Sequence, residues 1–132
     1  MCSGIEFDHN GQQKRVLLTD PNPRVLIRYK INQRWVRWGN IHAPELPKTA
    51  HCKKEALLMG KWKWARPRLV EIVANRGFAN GTWFQVREGM HGLLVRDLQG
   101  QEIVYMLTEP ATHYYKTMTG AERMPILLHQ VI

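Results

Sequence analysis

The sequence predicts an α+β fold that is mainly β: one domain over residues 1–132, arranged as a partly closed, barrel-like sheet flanked by one or two helices. Three observations predict it. Short runs rich in β-branched and aromatic residues recur along the chain, Val25 to Lys30 and Trp83 to Arg87 among them. Turn formers separate these runs, beginning with the hairpin pair Asn10-Gly11. Only one stretch, Lys48 to Ala65, carries a marked helical period.

In chain order, residues 2–9 read as a strand that turns at Asn10-Gly11 into a second, Lys14 to Thr19. Asp20 to Arg24, with two prolines, breaks that strand. Val25 to Lys30 and Arg34 to Trp38 are the next two strands, and Gly39 to Pro47 is a proline-containing loop. In the helix, Ala50, Leu57, Leu58, Trp62 and Ala65 share one face while Lys48, Lys53, Lys54, Lys61 and Lys63 accompany them; Pro67 ends it. Leu69 to Val73 is a strand, Asn75 to Gly81 a turn region and Trp83 to Arg87 another strand. Gly92 to Asp97 and Glu102 to Thr108 form a hairpin across Leu98 to Gln101. Ala111 to Met118 is a second helix and Pro125 to Val131 a final strand.

Composition narrows the function classes. Hydrophobic residues make up 44% of the chain, enough for an ordinary core and too many for disorder. No apolar run approaches the ~18 residues of a membrane span, and the opening Met1 to Gly11 lacks the pattern of a signal peptide, so a cytoplasmic protein with no membrane partner is expected. Two cysteines, Cys2 and Cys52, are too few for a disulfide framework, and neither belongs to a C-x-x-C pair that would hold structural zinc. No cofactor and no metal are expected. Lys and Arg number 19 against 11 Asp and Glu, a net charge of +8, which is the footprint of a protein with a polyanionic partner. There is no Gly-rich phosphate loop, no G-x-S-x-G elbow and no helix-turn-helix spacing.

Cys2 carries the most specific chemistry. Removal of an initiator Met ahead of a small residue leaves a terminal cysteine whose amine (pKa about 7.7–8.0) and thiol (about 8.5) share one residue. Such a 1,2-aminothiol condenses with an aldehyde, first through the amine and then by ring closure at sulfur. The bland account is a small buried hydrophobe. His51 and Glu55 stand at i and i+4 on the expected helix, a spacing that orients a general base or simply makes a surface pair.

Arg34-Trp35-Val36-Arg37-Trp38 alternates cations with aromatics, and Lys61-Trp62-Lys63-Trp64-Ala65-Arg66 repeats the mixture. Aromatics that stack bases beside cations that meet phosphates make a platform for single-stranded nucleic acid. On that reading Trp35 and Trp38 face the ligand, Trp62 and Trp83 belong to the core, and Arg24, Arg28, Arg34, Arg37, Lys53, Lys54 and Arg123 contact phosphates.

Several motifs occur in an order that resembles one family. Met1-Cys2-Ser3-Gly4 is similar to an M-C-G start, Trp38-Gly39 to the head of W-G-L-I-P, and Lys53-Lys54-Glu55 stands where N-A-R-x-E is found. Trp83-Phe84 follows the strand of an F-x-E-W region, Tyr105 to Thr108 resembles a strand ending in V-T-T, and Glu122 to Leu127 resembles D-R-M-P-x-I-L. Together they resemble the SRAP family, the SOS response-associated peptidases, in a short, phage-related form that spans nearly the whole chain. The resemblance implies a terminal Cys2 that forms a thiazolidine with the ring-opened aldehyde of an abasic site in single-stranded DNA. It also implies a basic groove for the strand and autoproteolytic loss of Met1.

The departures are equally specific. The family's Asn falls near His51 and its catalytic His on Ala121, with His113 as the substitute upstream. Phe78 to Gly81 carries no carboxylate where the family has its Glu, leaving Glu71 or Glu55 to stand in. Three readings stay open at this point: a protein that crosslinks to abasic DNA through Cys2, a non-catalytic nucleic-acid-binding module of the same fold, and an amidohydrolase using the terminal thiol.

Overall fold

The computed structural model describes residues 1–129. Its elements run β1 (Gly4–His9), β2 (Gln12–Leu17), β3 (Arg24–Tyr29), β4 (Asn32–Trp38), β5 (His51–Lys53) and α1 (Lys54–Leu58). They continue with a 3-10 turn (Lys63–Ala65), β6 (Arg68–Ile72), β7 (Arg76–Ala79), β8 (Thr82–Gln85), β9 (Met90–Arg96), β10 (Glu102–Pro110), α2 (His113–Thr119) and β11 (Arg123–Pro125). The α+β, mainly β class holds, and the barrel is closed rather than partly closed.

Closure runs β10-β4-β3-β6-β9 and back to β10, five strands in a ring. Alternation along each strand fills the ring. Val25 and Ile27 of β3, Val36 and Trp38 of β4, Val70 and Ile72 of β6, Leu94 of β9, and Val104 and Met106 of β10 are buried in one cluster. The opposite face of β10, Ile103, Tyr105 and Leu107, packs with Leu93, Val95, Cys52 and Trp62 in a second cluster. Buried on both faces, β10 therefore reads as a continuous apolar run.

A four-stranded sheet, ordered β2-β1-β7-β8, covers one side of the barrel. Its hairpins use one device twice: Asn10-Gly11 and Asn80-Gly81 both take positive φ (51° and 76°, 48° and 79°), the primed turn that matches strand twist. The first strand and turn of the second hairpin lie within Asn75 to Gly81, expected as a turn region, which the structure resolves into β7 and its turn. Gly77 weakens the strand pattern there, yet packing demands it: a Cβ would lie 2.4 Å from Phe84 Cζ and 3.1 Å from Cys2 Sγ.

The expected helix from Lys48 to Ala65 is three shorter pieces. His51–Lys53 pairs in parallel with β10 at Met106 to Thr108, so tertiary hydrogen bonding overrides local helical period. Gly60, with φ +78°, then stops the short α1. The last expected strand, Pro125 to Val131, is displaced to Arg123–Pro125, with an isolated bridge between Leu127 and Met90. Residues 130–132 lie outside the described residues.

Among the loops, Gly89 takes φ +125°, and a Cβ there would sit 2.1 Å from Ile72 O. Gly89→Ala should cost about 3 kcal/mol, because strain and a backbone collision add. Gly11→Ala, also at positive φ but in open space, should cost about 1 kcal/mol. Urea midpoints at constant m-value measure both; equal losses would show that φ alone decides the cost.

Candidate active site around Cys2

Cys2 enters the structure just ahead of β1. Ser3 already bonds on both sides, its N–H donating to Phe78 O (2.7 Å) and its carbonyl accepting from Leu18 N (2.9 Å). The ladder of the small sheet thus holds the second residue against β7. Its side chain is 0% exposed, and Sγ donates to Gly4 O at 3.2 Å. Burial pushes the thiol up to about 11, outweighing the opposite pull of backbone groups and of the nearby α-ammonium.

His51 approaches from β5, because the parallel pairing with β10 brings that strand beside the amino terminus. Its Nε2 lies 2.6 Å from the Cys2 carbonyl oxygen. A carbonyl only accepts, so Nε2 carries the proton and Nδ1 of the neutral ring is the free acceptor. Burial lowers the imidazole pKa, with the α-ammonium adding a smaller push the same way, so His51 is neutral at pH 7. Trp38, 2% exposed, stacks edge-on against the ring (6.2 Å, 81°) and donates from Nε1 to Ala50 O.

A third group was not legible beforehand. Tyr115 of α2 is buried in the same cluster as Cys2, its ring against Phe84 at 5.0 Å. Among the described residues its hydroxyl has no hydrogen-bond partner. Thr119 is beside it, but that hydroxyl donates to the Tyr115 carbonyl and accepts from Ala121 N. Burial first, and the Cys2 thiol second, raise the Tyr115 pKa beyond the usual range. The signal was there in principle: Thr112 caps α2 on Tyr115 N, and i, i+4 spacing then turns Tyr115 and Thr119 inward. His113, the substitute named from sequence, is instead an exposed residue on the first turn. Ala121 fills its buried position with a methyl group.

The remaining candidates separate into committed and available groups. Glu55 is clamped by Arg123 through both oxygens (2.7 and 3.0 Å), which holds its carboxyl at about 2 and removes it as a base. His51 and Glu55 do not share a helix: one is on β5, the other in α1. Arg123 also donates to Thr108 O and Oγ1, tying α1 to the barrel. Arg34 is held by Glu102 at 2.6 and 2.7 Å, and Arg28 by Glu71 at 3.2 Å. Trp38 belongs to the barrel interior, and Trp35 lies against Phe7 and His9 on the outer face with 37% of its surface exposed.

Lys53 and Lys54, separated from His51 by Cys52, pair with no carboxylate among the described residues. Arg24 and Arg37 face one another across β3 and β4 and bond only to neutral groups, Trp35 O and Asn22 Oδ1. Arg37 also lines a cleft of about 200 Å³ with Leu18, Trp38, Thr49 and Ala50, adjoining His51. No group of three His, Cys, Asp or Glu side chains converges on a common point among the described residues. No described helix is long and apolar enough to cross a membrane. No family model, curated protein or solved structure matches the chain.

Two measurements check this site. With Met1 present, the native Cys2 and Cys52 thiols should react with iodoacetamide at pH 8 about two orders of magnitude more slowly than in urea, and still accelerate through pH 10. A rate near that of the unfolded chain would contradict the burial. Glu55 has a folded pKa below its unfolded one, so its contribution to stability is present above about 4.5 and is lost as pH falls towards 2. Glu55→Gln should flatten that part of the stability profile, more at low salt than at high, since the carboxylate is exposed.

Proposed function

We propose that this chain acts on single-stranded DNA and links itself to abasic sites through the aminothiol of Cys2, as its resemblance to the SRAP family implies. The observation that carries the reading is the holding of the second residue: His51 Nε2 lies 2.6 Å from the Cys2 carbonyl oxygen, and the Cys2 thiol is held in the same cluster. Loss of Met1, itself half-exposed, places a free amine on the residue that bears the thiol.

The chemistry balances without an oxidant. The Cys2 amine adds to the C1′ aldehyde of the ring-opened site and water leaves, giving an imine. Sulfur then adds to the imine carbon, forming the S–C bond, and the thiol proton passes to nitrogen. One water is lost overall. His51 positions the terminal residue through its Nε2–H and is neutral where the amine is partly unprotonated. Lys53, Lys54, Arg24 and Arg37 hold the strand, and the ion-paired Arg34 and Arg123 leave the contact set.

One observation favours a second reading. The buried thiol and the methyl of Ala121 suit a module that binds the strand without reacting. Intact mass separates the two after the protein is mixed with an oligonucleotide carrying one abasic site. Covalent action gives the Met-less chain plus the oligonucleotide minus one water. The adduct is absent in Cys2→Ala, whose non-covalent binding persists, and forms about tenfold more slowly in His51→Ala. A trimmed chain that binds and yields no adduct leaves the binding module.

A further inference from the structure

We propose that the mouth of the barrel at the Glu102 end is a second binding site for single-stranded nucleic acid, separate from Cys2. The inward-facing rows that fill the barrel do not end in apolar residues there. Following the register outward, β3 presents Tyr29, β4 Arg34, β6 Arg68, β9 Arg96 and β10 Glu102. Three arginines thus converge on one carboxylate. Glu102 holds Arg34 at 2.6 Å and Arg96 at 3.7 Å, and Arg68 lies over the Tyr29 ring with no carboxylate partner among the described residues.

Like charges gathered at a barrel end weaken the folded state, and nothing in the packing requires them. An anion resolves the arrangement. Arg34, Arg68, Arg96 and Glu102 line a groove of about 630 Å³, together with Trp64 of the 3-10 turn and Arg66 that follows it. Trp64 is 59% exposed, yet its indole is held in place by Nε1 donating to Lys61 O at 2.9 Å. A fixed, open indole rimmed by Arg66, Arg68 and Arg96 supplies a stacking face and phosphate partners at once, which suits an unpaired strand better than a duplex. The groove's other carboxylates, Glu45 and Asp97, accept backbone hydrogen bonds, Glu45 from Leu98 N and Asp97 from the amides of Gln99 and Gln101.

The mouth is away from the aminothiol. His51 lies beside Met106, four residues along β10 from Glu102, or roughly 13 Å at the rise of a strand. The proposal shares only its ligand class with the covalent reading and stands without it.

Fluorescence anisotropy tests the groove in the full-length Cys2→Ala protein, with a labelled, unmodified single-stranded oligonucleotide, the matching duplex, and heparin as a polyanion without bases. Trp64→Ala should weaken single-strand binding about tenfold and leave heparin binding unchanged, with Trp64→Tyr recovering part of the loss. Arg66→Ala/Arg68→Ala should lower the salt slope by about 1.4, at ~0.7 per phosphate contact, whereas Lys14→Ala/Arg87→Ala, with the same net charge, should lower it less. Unchanged binding in Trp64→Ala, or equal losses in the two double variants, would overturn the site. Failure of the unsubstituted protein to form the abasic adduct, with groove binding retained in Cys2→Ala, would overturn only the covalent reading.

Discussion

Everything in this fold hangs on the hydrogen-bonding capacity of one strand. β10 has two edges, and each is divided between two partners along its nine residues. On one edge β9 pairs from Glu102 to Met106 and β11 from Thr108 to Pro110. On the other, β4 pairs in parallel at Ile103 and Val104, then β5 at Met106 to Thr108. The first half of the strand closes the barrel, and the second half recruits the segments that build the site. Because β10 is buried on both faces, any unpaired amide or carbonyl along it would carry the full cost of desolvation, about 1–3 kcal/mol each. That cost explains why even the three-residue β5 is extended rather than helical.

The geometry around Cys2 follows from this division. β5 must lie beside Met106 to satisfy β10, and that placement delivers His51 to the Cys2 carbonyl across 49 residues of sequence. The small sheet delivers the other partner. Ser3 is locked between β2 and β7, so Cys2 cannot withdraw from the cluster that contains Phe84 and Tyr115. Clamping at both ends costs reactivity, since the thiol is pushed up to about 11.

Local signals were readable where the chain folds on itself. The Asn10-Gly11 hairpin, the β3 and β4 strands and the pair across Leu98 to Gln101 are each specified by residues within one hairpin. The core assignment of Trp62 came through as well, by packing against Tyr105 of β10. What escaped was set at long range. β5 has no strand pattern of its own, β7 is disguised by Gly77, and both exist because of partners elsewhere in the chain. The site was half legible: Cys2 is chemically distinctive and His51 could be named, but Tyr115 was hidden beside the more conspicuous His113.

The cations make the same point about charge. From composition, Arg34 and Arg123 look no different from Arg66 and Arg68. The fold distinguishes them by what stands opposite, and the deciding carboxylates, Glu102 and Glu55, are each 68 residues away. Once these pairs form, the cations without a carboxylate among the described residues include Lys53 and Lys54 on β5 and α1, Arg24 and Arg37 across β3 and β4, and Arg66 and Arg68 at the barrel mouth. A folded surface with several separate groups of unpaired cations repels itself, a cost to stability that salt screens.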